Sequence, residues 1–264
     1  MKYLVVFGLF YSFIITGCSK SVEIIAHRGA SYLAPENTLA SIRLGWEKQA
    51  DVELDVHLSK DNRIVVIHDA STKRITGIDL KVKETTSREL RKLDYGSFKS
   101  QEFAGEPIPF LTDVLKTIPP DRKLYVEIKC GKEILPLLKR RIVESGKISQ
   151  IVIIGFDIET MTISKKLIDV PTYWLKGTEK TKETEKWIPH DPKLVQKVKD
   201  RGLDGLDVHY AGVTKEFVDA VKAAGQKLYV WTVDDPEEAR RLVRLGVNGI
   251  TTNRPEWLRE HIKN

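Results

Sequence analysis

The chain has 264 residues, 41% of them hydrophobic and 30% charged, and its 43 Lys and Arg against 37 Asp and Glu give a formal net charge of +6. That apolar content excludes a disordered chain, and apolar runs that stop after the first seventeen residues exclude a polytopic membrane protein. The cations are interleaved with acids, as in Glu179-Lys180-Thr181-Lys182-Glu183, so the basicity reads as a solvated surface and no nucleic-acid partner is expected.

Lys2 precedes an uncharged apolar stretch over residues 3–16, followed by Gly17 and Cys18. A positive start, an apolar core of this length and small residues before a cleavage point describe a secretory signal, too short for a membrane-spanning helix with its flanks. Ile15-Thr16-Gly17-Cys18 resembles a bacterial lipobox, whose cysteine becomes the lipidated first residue of the mature protein; a plain signal with an incidental cysteine is the alternative. Residues 1–17 are therefore expected to be a lipoprotein signal peptide and residues 18–264 a single domain. The mature protein is expected to be exported and lipid-anchored at Cys18 to the bacterial cell envelope. The outer membrane, on its periplasmic side, is the expected place, since Ser19 stands where an aspartate would in some bacteria hold a lipoprotein at the inner membrane. Cys130 is then alone, so neither an internal disulfide nor a cysteine metal site is expected, and it reads as a small apolar filler beside a strand.

Beyond the leader, short β-branched runs alternate with amphipathic stretches. Strands are predicted over residues 23–26, 52–56, 124–128, 151–154, 172–175, 205–208, 227–231 and 249–251. Helices lie between them, such as 215–224 stopped by Gly225 and 236–245 stopped by Gly246, and Asn37 is placed as the N-cap of a helix over residues 38–48. A further run, 63–67, follows the second strand too closely for a parallel crossover, so it is predicted to return as a hairpin turning at Lys60-Asp61-Asn62. Eight βα units in about 250 residues predict an α/β fold, the (β/α)₈ TIM barrel, with a β-hairpin excursion after strand 2 and a small insertion at about 70–110. A doubly wound open sheet is the alternative, disfavoured by the lack of a Gly-rich phosphate loop after the first strand. Residues 177–185 read as a mobile charged loop.

Ionisable residues crowd the predicted strand ends, where active sites of this fold form. The first strand ends in His27-Arg28. Glu53, Asp55 and His57 alternate along the second and project to one face; the hairpin brings back His68, roughly opposite Glu53. Glu127 and Lys129 share a face of the third strand, Asp207 and His209 lie on the sixth, and Trp231 ends the seventh. Glu53, Asp55 and Glu127 would converge in the barrel mouth and repel one another unless neutralised. Oxygen ligands suit one hard divalent cation, Ca²⁺ or Mg²⁺; pairing of each carboxylate with an Arg or Lys is the alternative. His27 and His68 suit a general base and acid, and Arg28 and Lys129 a phosphate oxygen, which together point to phosphoryl transfer.

Five segments carry a family resemblance: Ile25-Ala26-His27-Arg28-Gly29-Ala30, Ala34-Pro35-Glu36-Asn37-Thr38, Glu53-Leu54-Asp55-Val56-His57-Leu58-Ser59-Lys60-Asp61, Val65-Val66-Ile67-His68-Asp69 and Val126-Glu127-Ile128-Lys129. With Val230-Trp231-Thr232-Val233 and Gly249-Ile250-Thr251-Thr252-Asn253-Arg254-Pro255, the chain resembles glycerophosphodiester phosphodiesterases over nearly its whole mature length. The resemblance implies a metal-dependent hydrolase that cleaves glycerophosphodiesters to sn-glycerol 3-phosphate and an alcohol. It implies His27 and His68 as the acid–base pair, Glu53, Asp55 and Glu127 as metal ligands, Arg28 and Lys129 at phosphate, and Trp231 as an aromatic wall. Glu36 falls near the catalytic groups or orients the loop before the first helix. His57 is expected to support the site without taking part, and His209 to be a substrate contact or a buried imidazole.

Asn253 stands where the family often has aspartate, and Asp234 where it commonly has asparagine, departures expected to touch only the alcohol side of the pocket. Two other functions are weighed: a phospholipase C- or D-like enzyme on intact lipid, needing an apolar rim that Phe98, Phe103 and Phe110 would have to supply, and a non-catalytic phosphodiester-binding lipoprotein. An extracytoplasmic location favours Ca²⁺; the alcohol released and the oligomeric state are not legible.

Overall fold

In the computed structural model, which describes residues 22–262, eight parallel strands close into a ring and a ninth pairs outside it. The strands are β1 (Glu23–Ala26), β2 (Asp51–Leu58), β3 (Ile64–Val66), β4 (Leu124–Ile128), β5 (Ile151–Gly155), β6 (Thr172–Lys176), β7 (Gly205–His209), β8 (Lys227–Trp231) and β9 (Gly249–Thr252). Hydrogen-bonded neighbours run β1-β9-β8-β7-β6-β5-β4-β2, and β1 pairs with β2 to close the barrel. The helices are α1 (Leu39–Glu47), α2 (Lys73–Thr76), α3 (Ser87–Leu90), α4 (Leu111–Leu115), α5 (Leu135–Ser145), α6 (Ile158–Leu167), α7 (Lys193–Asp200), α8 (Lys215–Ala223), α9 (Pro236–Leu245) and α10 (Pro255–His261). The fold is thus the (β/α)₈ barrel that the sequence predicts. The expected signal segment and Cys18 lie outside the described residues, among which no helix is long and apolar enough to cross a membrane.

Period-two alternation builds two cores. Val52, Leu54 and Val56 of β2 face the helices in the larger cluster, while Glu53, Asp55 and His57 between them are buried on the other side. Inside the ring, Ile25, Tyr125, Val152, Ile154, Tyr173, Leu175 and Tyr229 pack together. Tyr125 Oη donates to Glu23 Oε2 at 2.9 Å and Lys123 Nζ to the same oxygen at 3.0 Å, which plugs the N-terminal end of the barrel. The opposite end is left for chemistry.

β3 pairs antiparallel with β2, Val56 opposite Val66, and Ile67 N donates to Asp55 O at 3.0 Å. That register puts Asp69 level with Glu53, one residue past the expected His68, which leaves the ladder and turns its ring toward β4. Residues 70–109 pack Ile75, Val82, Leu90, Tyr95 and Ile108 against Val65 and Ile67 in a core of their own. Phe110 lies under the guanidinium groups of Arg63 and Arg91, 4.9 and 4.6 Å from its ring centre, so of the three phenylalanines weighed as an apolar rim only Phe98 counts as exposed.

One local detail differs from expectation. The N-cap of α1 is Thr38, whose Oγ1 accepts from Ser41 N at 3.3 Å while Ser41 Oγ accepts from Thr38 N; Asn37, the expected cap, is turned to another use. The stretch 177–185 ends in a closed turn, with Lys180 bridged to Trp187 and Thr181 N donating to Lys186 O at 2.8 Å.

Candidate active site

The chain leaves β1 through a sharp turn. Arg28 takes the left-handed conformation (φ 54°), which aims its backbone N–H at Glu53 Oε2, 2.8 Å away. Gly29 follows at φ 80°, and a Cβ there would lie 2.5 Å from the Ser41 carbonyl carbon, so only glycine lets this turn rest on α1. Asn37, also left-handed at φ 59°, donates from Nδ2 to Asp55 Oδ2 at 2.8 Å and accepts from Asp55 N at 3.1 Å. The loop between β1 and α1 therefore grips both carboxylates of β2. A non-glycine residue held at positive φ marks a place where the surroundings override local preference.

Glu53, Asp55 and Glu127 each bring an oxygen within 4.8 Å of the others, the one such cluster of acidic, His or Cys side chains among the described residues. Glu53 and Asp55 are 3% and 1% exposed, and Glu53 Oε1 and Asp55 Oδ1 accept no hydrogen bond. Burial, with the charges of Asp55 and Glu127, holds Glu53 well above the usual carboxylate range; burial and Asp55 push Glu127 to about 7. Two cations serve the three acids: Arg28 Nε is 3.3 Å from Asp55 Oδ2, and Lys129 Nζ is 2.7 Å from Glu127 Oε1 and 3.7 Å from Asp55 Oδ1. Pairing is thus incomplete, and two buried oxygens remain for an ion. The donor set is all oxygen and fits a hard divalent cation.

The two imidazoles are set differently. His27 Nδ1 lies 2.7 Å from Asn253 Oδ1, which also accepts from Ser31 Oγ at 2.9 Å, while Asn253 Nδ2 donates to Asp234 Oδ2 at 2.6 Å. The amide orientation makes its oxygen an acceptor, so His27 carries its proton on Nδ1 and presents a lone pair at Nε2. Burial and the charge of Arg28 lower its pKa. His68 donates from Nδ1 to Asp69 Oδ1 at 2.6 Å, and its Nε2 is 3.1 Å from Lys129 Nζ. Asp69 is held by Arg74 (Nε to Oδ2, 2.6 Å), and Arg74 forks onto Glu36 at 2.8 and 3.0 Å. Glu36 also accepts from Arg28 Nη1 at 2.8 Å. Burial opposes ionisation of Glu36 and Asp69, but these hydrogen bonds outweigh it and bring both to about 2.

The side chains border a cavity of about 150 Å³. His27, Arg28, Glu53, His68, Glu127 and Lys129 form one wall; Ile154, Phe156, Leu175, Asp207 and Trp231 form the other. Trp231 meets Phe156 edge-on, ring centres 5.7 Å apart. His57 stays behind the wall, donating from Nε2 to His68 O at 3.1 Å and fixing the hairpin that carries His68. His209 does not line the cavity; it stacks between Trp187 and Tyr210 at 4.8 Å from each. Asn253 corrects one expectation, for it contacts His27 rather than only the alcohol side. Sequence reasoning gives Arg74, Asp69 and Asn37 no place in the site and Asp207 no role beyond that of a strand-end acid. Asp69 and Asn37 lie within recognisable motifs, whereas nothing local marks Arg74, which reaches the site from the insertion.

Three carboxylates, two imidazoles and two cations at the C-terminal strand ends of a (β/α)₈ barrel suit the hydrolysis of a phosphoric diester. Residues 27–257 match the model of the glycerophosphoryl diester phosphodiesterase family, and the chain belongs to that family. A glycerophosphodiester phosphodiesterase of Caldanaerobacter subterraneus subsp. tengcongensis is 34% identical over 241 residues, covering 89% of this chain and 95% of its own. Among solved structures, an Oleispira antarctica phosphodiesterase in complex with the product sn-glycerol-3-phosphate is 27% identical with a TM-score of 0.79, covering 92% and 97% of the two chains. The glycerophosphodiester phosphodiesterase of Thermotoga maritima is also 27% identical, with a TM-score of 0.73 over 91% and 98%.

Proposed function

We propose that the protein hydrolyses glycerophosphodiesters to sn-glycerol 3-phosphate and an alcohol, using a divalent cation held by Glu53, Asp55 and Glu127 and the acid–base pair His27 and His68. One observation carries this reading: three under-neutralised buried carboxylates share a small cavity with two oriented imidazoles and two cations. The product complex of the Oleispira antarctica relative supports the substrate class. When bound, Ca²⁺ or Mg²⁺ would supply positive charge to the phosphoryl oxygens as charge develops on them.

The remaining steps belong to the chain. Arg28 and Lys129 bind the phosphate oxygens and hold the phosphorus in line with the attacking oxygen. His27 Nε2 takes the proton of the attacking water, its ring fixed by Asn253. His68 delivers a proton to the departing alcohol oxygen as the P–O bond breaks, and Asp69 stabilises its imidazolium form. Phosphate draws Lys129 away from His68 Nε2 and leaves that nitrogen able to carry the proton. The export and lipid anchoring read from residues 1–18 belong to the same proposal and rest on sequence alone; Cys18→Ser should move the protein from the membrane to the soluble fraction with its turnover intact.

The test uses the soluble Ser19–Asn264 form, stripped with a chelator and offered glycerophosphocholine. Release of sn-glycerol 3-phosphate restored by Ca²⁺ or Mg²⁺ supports the reading. A folded sample that releases none with either ion overturns it.

A further inference from the structure

The cavity wall built by β5 to β8 is apolar at Ile154, Phe156, Leu175 and Trp231, with one acid among them, Asp207 on β7. Asp207 is 1% exposed, and its Oδ1 has no hydrogen-bond partner. The one charge that acts on it is that of Glu127, also negative. Its contact with the fold is through the backbone, where its carbonyl accepts from Trp231 Nε1 at 3.2 Å. A buried polar side chain that partners nothing in the protein is destabilising. Its natural partner is whatever enters the cavity.

That partner is not the cation, because Asp207 lies outside the cluster of Glu53, Asp55 and Glu127. Nor is it phosphate, which Arg28 and Lys129 draw to the other wall of the cavity. What remains is the organic part of the ligand, laid along the apolar wall. A carboxyl in such surroundings keeps its proton, and burial pushes this one well above the usual range. A neutral carboxyl both donates and accepts, which matches a hydroxyl, and it has no charge to pair with an ammonium.

We infer that Asp207 reads the glycerol hydroxyls of the substrate, hydrogen-bonding the glyceryl group whose phosphate is held by Arg28 and Lys129. The inference rests on the proposed reading that the cavity takes a glycerophosphate group, and it makes Asp207 a specificity-determining residue. A site built around such a hydrogen bond rejects a ligand that lacks the hydroxyl, because the buried group is then left bare.

Wild type, Asp207→Asn and Asp207→Leu, each loaded with Ca²⁺ or Mg²⁺, are titrated with sn-glycerol 3-phosphate and with n-propyl phosphate, which has the same carbon chain and no hydroxyl. Asp207→Leu should weaken sn-glycerol 3-phosphate about ten- to a hundredfold and leave n-propyl phosphate as tight as before or tighter. Asp207→Asn, which still donates and accepts, should stay within about threefold for both. Equal losses for the two ligands, or an unchanged affinity for sn-glycerol 3-phosphate, overturn the assignment. If Asp207→Leu fails to fold, Asp207→Ala gives the same contrast, and the ratio of two affinities within one variant is blind to a partial loss of folded protein. Wild-type turnover of glycerophosphocholine keeps the two readings apart. Asp207-dependent binding without turnover sinks the activity and keeps the residue's role; turnover with Asp207-independent binding does the reverse.

Discussion

His27 owes its tautomer to Asn253, 226 positions along the chain. The proton sits on Nδ1 because the amide oxygen there accepts, and Asp234 fixes which way the amide points. His27→Ala should therefore lower turnover by about 10²- to 10⁴-fold while circular dichroism and metal titration stay unchanged; near-normal turnover would remove its assigned role. The pair Asp234 and Asn253 carries its single charge on the residue farther from the imidazole. The double variant Asp234→Asn with Asn253→Asp keeps the amide–carboxylate hydrogen bond and brings the charge against His27. An opposite charge raises an imidazole pKa, so the acid limb of the kcat/KM profile should move up by about one unit. An unmoved limb would mean that His27 is not the group titrating there. The motif residues were readable from the sequence, but the direction of each ring was not, since it depends on hydrogen bonds from distant segments. Glu53→Gln removes an oxygen of the proposed cation site, so the Ca²⁺ or Mg²⁺ titration should shift to higher concentration with partial rescue of rate. Coincident titration curves would withdraw Glu53 as a ligand.

Asn37 and Thr38 stand side by side at the start of α1 and do unlike work. Both are good N-cap residue types, which is why sequence reasoning placed the cap one residue early. The choice was made by the left-handed turn at Asn37, which points its amide at Asp55 and leaves Thr38 to cap. Thr38→Ala should cost about 1 kcal/mol in chemical denaturation and leave the rate alone. Asn37→Ala strips Asp55 of two hydrogen bonds and should weaken cation affinity by about tenfold or more, as the loss of a group that orients a metal ligand does. If the two variants behaved alike, Asn37 and Thr38 would not divide the work in this way. The strands were legible because each reads as a short β-branched run. Arg74 was not, because a charged residue in a short helix of the insertion has no periodic signature of a role.

Across the whole molecule, Glu36 ties the barrel to the insertion by accepting from Arg28 on one side and Arg74 on the other. Its carboxyl, ordinarily near 4.5, is brought to about 2 in the fold. A lowered folded-state pKa contributes stability that is present above the unfolded value and lost as pH falls toward the folded one. The stability curve should therefore fall between pH about 5 and 2. Glu36→Gln should cost on the order of 2 kcal/mol at neutral pH and flatten that fall; parallel curves for variant and wild type would deny Glu36 this part.

By itself the sequence determined the barrel, the hairpin, the insertion and the motif residues His27, Arg28, Glu53, Asp55, His68, Glu127, Lys129 and Trp231 at the barrel mouth, because hydrophobic periodicity and strand-end motifs are local and survive being read one segment at a time. Only the tertiary structure decided which oxygens stay unpartnered, which nitrogen of His27 bears the proton, how Glu36, Arg74 and Asp69 join Arg28 to His68, and that Asp207 faces the cavity alone. These are relations between elements far apart in the chain, and closing the ring of strands is what brings them within hydrogen-bonding distance.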